Sequence, residues 1–385
     1  MRRTLFLALL LTAAAHAQWD LQNSGSTADL RGIHSVGKGI AWASGSNGTV
    51  LRTEDGGYLW QRCTVPPGAE KLDFRGIQAF DANTAIVMSS GKGDLSRLYK
   101  TTDGCQTWKL VFTNPDKDGF WDALRFETNS QNRNSHIWGI LVGDPVAGSF
   151  VAYNSKDKGD TWEAMTVKWV KRMPHAKNGE SLFAASNSAA DAVGDANNLA
   201  FVTGGSGGSS LYHLTGGGLI LDAFWSWPSF EKTTLPFAHA RDSQGAFSVA
   251  HRQLDGVTFD FMVVGGDYSH AELSGYAAHI PAATYSWTGR HQTASAAITP
   301  PHGYRSAVAY DAATKTWITV GPNGTDISTD DGRNWRALKP GPSDPPDADQ
   351  HWNALSLPFV VGPHGRIGVL NPVALKAQDV PKTKP

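Results

Sequence analysis

The chain has 385 residues, with 34 Lys plus Arg against 35 Asp plus Glu, a formal charge of -1. That balance excludes a nucleic-acid binder held by phosphate neutralisation, and charged residues at only 18% exclude long disordered acidic or basic tracts. The 41 Gly, 20 Pro and 14 Trp point instead to many short strands joined by tight turns, in one large all-β domain or two smaller ones.

Residues 1–17 read as a secretory signal. Arg2 and Arg3 precede an apolar run from Leu5 to Ala15, and Ala15-His16-Ala17 supplies the small-residue exit. The run is too short for a stable membrane anchor, and no later stretch approaches the roughly 20 apolar residues a spanning helix needs. Cleavage after Ala17 moves the formal charge from -1 to -3. The expected product is exported, secreted or periplasmic, and monomeric, without membrane insertion. Two cysteines suit that compartment but are too few to be the main source of stability.

From residue 18 onward the chain is an array of repeats. An octet of Ser or Thr, any residue, Asp, any residue, a usual Gly, two variable residues and Trp runs from Thr53 to Trp60. It recurs over Ser155–Trp162 and Ser328–Trp335. A fourth copy, Thr101 to Trp108, has Cys105 at the Gly position. In each, the Asp (Asp55, Asp103, Asp157, Asp330) is suited to accept backbone N–H bonds within a turn. The Gly allows positive φ, and the Trp (Trp60, Trp108, Trp162, Trp335) folds back as an apolar plug. These residues are read as structural, not catalytic.

A second series interleaves with the first. Short apolar strands end at Gly45, Gly91, Gly143, Gly204, Gly265, Gly321 and Gly362, at steps of 46, 52, 61, 61, 56 and 41 residues. Seven such units predict seven propeller blades of four strands each. The runner-up, an open β-solenoid, has shorter repeats. Rhyming segments before these strands mark the innermost strands: Leu30-Arg31-Gly32-Ile33, Phe74-Arg75-Gly76-Ile77, Phe120-Trp121-Asp122-Ala123, Tyr304-Arg305-Ser306-Ala307 and His351-Trp352-Asn353-Ala354. The seventh unit ends near Asn371 with three strands, and Gln18-Trp19-Asp20-Leu21 is a strand without a blade. The expectation is that it closes the ring. The propeller then covers 18–375, and 376–385 is a flexible tail.

The octet is identified as the Asp-box of sialidase-type and related β-propellers, also called the bacterial neuraminidase-type repeat. The fuller pattern resembles secreted propellers akin to the photosystem II assembly factor. It rests on Phe74-Arg75-Gly76-Ile77, Gly143-Asp144-Pro145, Gly179-Glu180-Ser181-Leu182-Phe183-Ala184-Ala185-Ser186, Gly265-Gly266-Asp267-Tyr268 and Gly303-Tyr304-Arg305-Ser306-Ala307-Val308. The resemblance implies a seven-bladed propeller and, more distantly, a binding or assembly role, since the photosynthetic relatives bind a membrane-protein precursor.

Ligands of propellers sit where inner strands meet the central channel. The candidates are therefore Arg31, Arg75, Asp122, Glu180, Asp267 and Arg305. Convergent arginines make an anion site; alternatively each pairs with a neighbouring carboxylate and pins the ring. A protein client, or a small anionic or carbohydrate ligand, is the expected partner. A sialidase-like glycosidase is the alternative. It would draw its arginines from Arg31, Arg75 and Arg305, a Tyr nucleophile from Tyr268 or Tyr304 with Glu180, and an acid/base from Asp122 or Asp267. The Arg-Ile-Pro string of that family is missing, and Arg172-Met173-Pro174 lies elsewhere in the order.

No cofactor or metal is expected. The 13 His lack paired ligand spacing, Gly204-Gly205-Ser206-Gly207-Gly208 precedes no helix, and the Asp of Gly143-Asp144-Pro145 or Gly266-Asp267 is more simply a turn former than a Ca²⁺ ligand. Two questions stay open in the sequence: whether Cys63 and Cys105 are bonded across adjacent blades, and whether Tyr212, Trp225, Trp227 and Phe230 form an aromatic platform or pack between blades.

Overall fold

Short strands punctuated by glycine turns bury little surface singly, so they must pair and then stack. In the computed structural model they form seven four-stranded antiparallel sheets and two two-stranded hairpins among the described residues. The structure describes residues 18–126, 138–165, 173–192, 199–215, 219–220, 224–225, 229–255, 258–282, 284–286, 289–341 and 344–376. The signal segment, all but the first residue of the tail, Arg172 and Trp227 lie outside these, as does the side chain of Trp225.

The sheets are the blades of a closed propeller. Blade 1 runs from Leu30–Gly37 to Gln61–Arg62, blade 2 from Phe74–Ala79 to Lys109–Thr113, and blade 3 from Trp121–Phe126 to Glu163–Ala164. Blade 4 starts at Ala190–Ala192, blade 5 at Gln244–Gln253 and blade 6 at Ala307–Asp311. Blade 7 takes Ala354–Ser356, Phe359–Val361 and Ile367–Leu370 from the C-terminal end, and its outer strand is Trp19–Gln22. The register of that closure is Trp19 opposite Leu370 through Gln22 opposite Ile367. Trp19 is 1% exposed, and its indole N–H reaches Thr325 Oγ1 at 2.9 Å and Asp349 Oδ1 at 3.1 Å. The chain ends are thus tied together, and blade 7 gains the fourth, outer strand that the other blades draw from their own repeat.

Apolar side chains gather at the seams between blades. Among the described residues, each of seven buried clusters spans two neighbours, from Trp42, Val50 and Phe74 between blades 1 and 2 to Phe359, Ile367, Leu30 and Trp60 between blades 7 and 1. Tyr212 and Phe230 belong to the seam of blades 3 and 4, where Tyr212 stacks on Phe201 at 5.0 Å. Of the proposed aromatic platform, those two residues are therefore packing residues.

The octets connect the third and fourth strands of blades 1, 2, 3 and 6. In blade 3 the Asp157 carboxylate accepts from Ser155 Oγ at 2.8 Å, Thr161 N at 2.9 Å and Thr161 Oγ1 at 2.6 Å, while Gly159 N donates to Ser155 Oγ at 2.8 Å. The bonds to the Asp from the first-position hydroxyl and from the seventh-position backbone N–H recur around Asp55, Asp103 and Asp330. The fifth octet position takes positive φ and rests against the preceding blade: a Cβ on Gly159 would meet Ile86 at 2.2 Å, and one on Gly332 would meet Met262 at 2.3 Å. Cys105 occupies this position with φ 65°, and its side chain is bonded to Cys63 of blade 1. The disulfide replaces a close van der Waals contact by a covalent one at the same seam.

Candidate functional site

A hollow of about 500 Å³ opens on the axis and is lined from all seven blades, or from the segments leading into them. Its geometry comes from a recurring β-bulge. In blades 1, 2, 3 and 5 the inner strand carries one extra residue opposite the end of the second strand: Arg31, Arg75, Asp122 and Phe247 respectively. A bulge re-aims its extra residue out of the pleat, and all four line the hollow.

The arginines are matched. Arg31 pairs with Asp29 at 2.8 Å and Arg75 with Asp73 at 2.8 Å, two residues back in each blade, and the four side chains are 29–34% exposed. Asn353 of blade 7 donates to the other Asp29 oxygen at 2.8 Å, and Arg75 also donates to Ala184 O at 3.2 Å. Arg31 Nε is buried without a partner. On the next blade, blade 3, Asp122 and Asp144 sit on adjacent strands, one at the bulge and one just past the last paired glycine. Asp122 is 1% exposed, and its Oδ2 has no hydrogen-bond partner. Burial and the nearby Asp144 charge push its carboxyl well above the usual range against the pull of Arg75. Burial likewise raises Asp144 to about 6, although its Oδ1 accepts from Leu182 N at 3.0 Å.

The remaining wall is aromatic. Phe183 stacks on Phe247 at 4.0 Å, Tyr304 meets the edge of Phe247 at 4.7 Å, and Tyr268, 53% exposed, stands over both phenylalanines at 6.0–6.1 Å. Burial raises the Tyr304 hydroxyl's pKa despite the opposing charge of Arg31. The segment entering blade 4 crosses the axis and forms the floor. Ser186 Oγ donates to Ser306 O of the blade 6 approach at 2.7 Å, and Ser188 Oγ to Ser248 Oγ of blade 5 at 2.7 Å. Asn187 accepts from Leu124 N of blade 3 at 2.8 Å and donates to Leu124 O at 3.0 Å and Ile77 O of blade 2 at 3.4 Å. At this level the axis is filled by protein.

Of the residues expected at the site, Arg31, Arg75, Asp122, Tyr268 and Tyr304 line the hollow, and three others are elsewhere. Arg305 lies inside blade 6, 0% exposed, with Nε 2.8 Å from Asp326 Oδ2 and a second guanidinium nitrogen on the same carboxylate. The reason is a one-residue offset. A Cβ on Gly45 would strike the carbonyl of Asp29, and one on Gly321 the carbonyl of Tyr304. Tyr304 thus corresponds to Asp29, Arg305 to Leu30 and Ser306 to Arg31, so the arginine points to the blade interior. Glu180 is turned toward blade 4, where it accepts from Lys177 N, Thr203 Oγ1 and Tyr212 Oη, with Lys232 at 3.3 Å. The Tyr268–Glu180 couple of a sialidase is therefore not formed. Asp267 accepts from Ser243 Oγ, Ser269 N and Arg241, holding the turn that carries Tyr268. Residues not singled out for the site but present there are Asp144, Phe183, Phe247 and Asn353, with Asp29 and Asp73 behind the arginines. The repeated Asp-x-Arg of blades 1 and 2 was the available sign of the last two.

No family model and no curated protein matches the chain. Solved structures do. YCF48 from Cyanidioschyzon merolae is 18% identical over 93% of this chain and 99% of its own, with a TM-score of 0.55. A structure described as YCF48 bound to D1 peptide is 16% identical over 92% and 98%, with a TM-score of 0.54. The WD40 β-propeller domain of Doa1 is 9% identical over 94% and 98%, also at 0.54. At these identities what the three share with this chain is the propeller fold.

Proposed function

We propose that this protein is an exported binding propeller, of the assembly-factor-like Asp-box kind, whose hollow takes the carboxylate-bearing end of a partner protein. The observation that carries the reading is the pair of arginines at equivalent bulges of adjacent blades. Each is held in place by its own aspartate, about 30% exposed to the hollow, and Arg31 keeps a buried donor unpartnered. Fixed guanidinium forks above a closed floor suit a planar carboxylate, and the Phe183–Phe247–Tyr268 wall suits the apolar part of a peptide. The similar propeller described as bound to a peptide supports a peptide as the ligand class. The engaged state of Glu180 favours binding over glycoside hydrolysis. The test is fluorescence anisotropy with N-terminally labelled hexapeptides of randomised sequence. Free acids should bind more tightly than the same peptides as amides, and Arg75→Ala should weaken the acids about 10-fold or more. Equal binding of acids and amides, or an Arg75→Ala variant that binds as wild type does, would overturn the reading.

A further inference from the structure

The hollow contains more carboxyl groups than the two arginines can match. Arg31 and Arg75 already pair with Asp29 and Asp73, and among the described residues no ion pair within 4 Å reaches Asp122 or Asp144. Two cations thus face four carboxyl groups. A ligand that was only an anion would leave Asp122 and Asp144 without a counter-charge. Asp122 is placed in the cavity wall by the bulge between Trp121 and Ala123, it is almost fully buried, and its Oδ2 has no hydrogen-bond donor. Asp144, half-buried beside it, retains Oδ2 beyond its one bond from Leu182 N. An unpartnered buried acceptor next to a second carboxylate is completed by a donor that brings positive charge.

We infer that Asp122 and Asp144 form a cation subsite beside the arginines, so that the hollow recognises a dipolar peptide end: a terminal carboxylate with a lysine side chain at the last or penultimate position. The carboxylate half rests on the reading proposed above; the cation half stands on blade 3 alone. An ammonium between the two carboxyls makes charge-assisted hydrogen bonds to both, and the lysine stem lies along the aromatic wall. The high proton affinity of both carboxyls is the expected property of such a site when no cation fills it.

The experiment uses the mature protein and four labelled hexapeptides that differ only at the end: lysine or its uncharged isostere norleucine as last residue, each as free acid and as amide. The lysine acid should bind about 10-fold more tightly than the norleucine acid, as one charge-assisted hydrogen bond predicts. In Asp122→Asn and Asp144→Asn that ratio should fall toward one, with the native near-ultraviolet spectrum confirming the fold. Equal affinity of lysine and norleucine acids overturns this inference while leaving the carboxylate reading intact if both beat the amides. A lysine preference that persists between the two amides and is lost in Asp122→Asn supports the cation subsite even where the terminal carboxylate proves irrelevant. Binding of none of the four removes both.

Discussion

Replacing Asp144 by Asn should make the protein more stable at neutral pH. In the folded chain, burial lifts the Asp144 carboxyl from 3.8 to about 6. Between those values the native state binds protons that the unfolded state does not, so stability falls as pH rises through the window. Above about pH 6 the full penalty is present, about 3 kcal/mol for a group displaced by roughly two pKa units. Partial exposure and the shared field of Asp122 reduce what one substitution recovers, to about 1–2 kcal/mol. Asn keeps the amide oxygen that accepts from Leu182 N–H, so the blade 4 entry stays anchored. Urea unfolding at pH 7.5 and at pH 4.5 is the assay. The midpoint of Asp144→Asn should exceed wild type at pH 7.5 and approach it at pH 4.5, where the wild-type carboxyl is protonated. A variant no more stable at pH 7.5, or stabilised equally at both values, would refute the argument. A stability gain accompanied by loss of lysine-peptide preference would mark Asp144 as a residue kept for binding at a cost to the fold.

Asp326→Asn should destabilise by about 3–5 kcal/mol, because it leaves Arg305 fully buried without its counter-charge, and it should do so with no direct loss of a group from the hollow. Equilibrium denaturation compared with Arg75→Ala would check this: the former should shift unfolding strongly and the latter little. Opening the Cys63–Cys105 bond, which closes a loop with a sequence separation of 42, should cost about 2–4 kcal/mol. The pair Cys63→Ala/Cys105→Gly should be about 1 kcal/mol more stable than Cys63→Ala/Cys105→Ala, since residue 105 sits at φ 65°. Thermal or urea unfolding of the two double variants side by side decides it.

Much of the architecture is legible because it repeats. Glycine-terminated strands recur at Gly45, Gly91, Gly143 and beyond, and a local turn such as Asp157 with Ser155 and Thr161 is encoded within one octet. The orphan strand at Trp19 is legible for the same reason, as a unit missing from an otherwise regular count. The site is less legible. Arg31 and Arg75 stand out as paired strings, yet Arg305 occurs in a string that looks equivalent and points the other way. A bulge shifts register by one residue, and alternation in a strand makes that shift a change of face. Asp144 and Phe247 line one hollow only because blades 3 and 5, to which they belong, converge on the same axis.

The sequence alone therefore determined the number of blades, their turns and the strand that shuts the ring, because each is a short-range pattern that recurs. Which side chains share the hollow, that Ser186–Ser188 cross its base, and that Asp122 Oδ2 is left without a hydrogen-bond partner were decided only in the tertiary structure. Those facts depend on where seven separately encoded strands begin relative to one axis, a relation between distant segments that no local pattern carries.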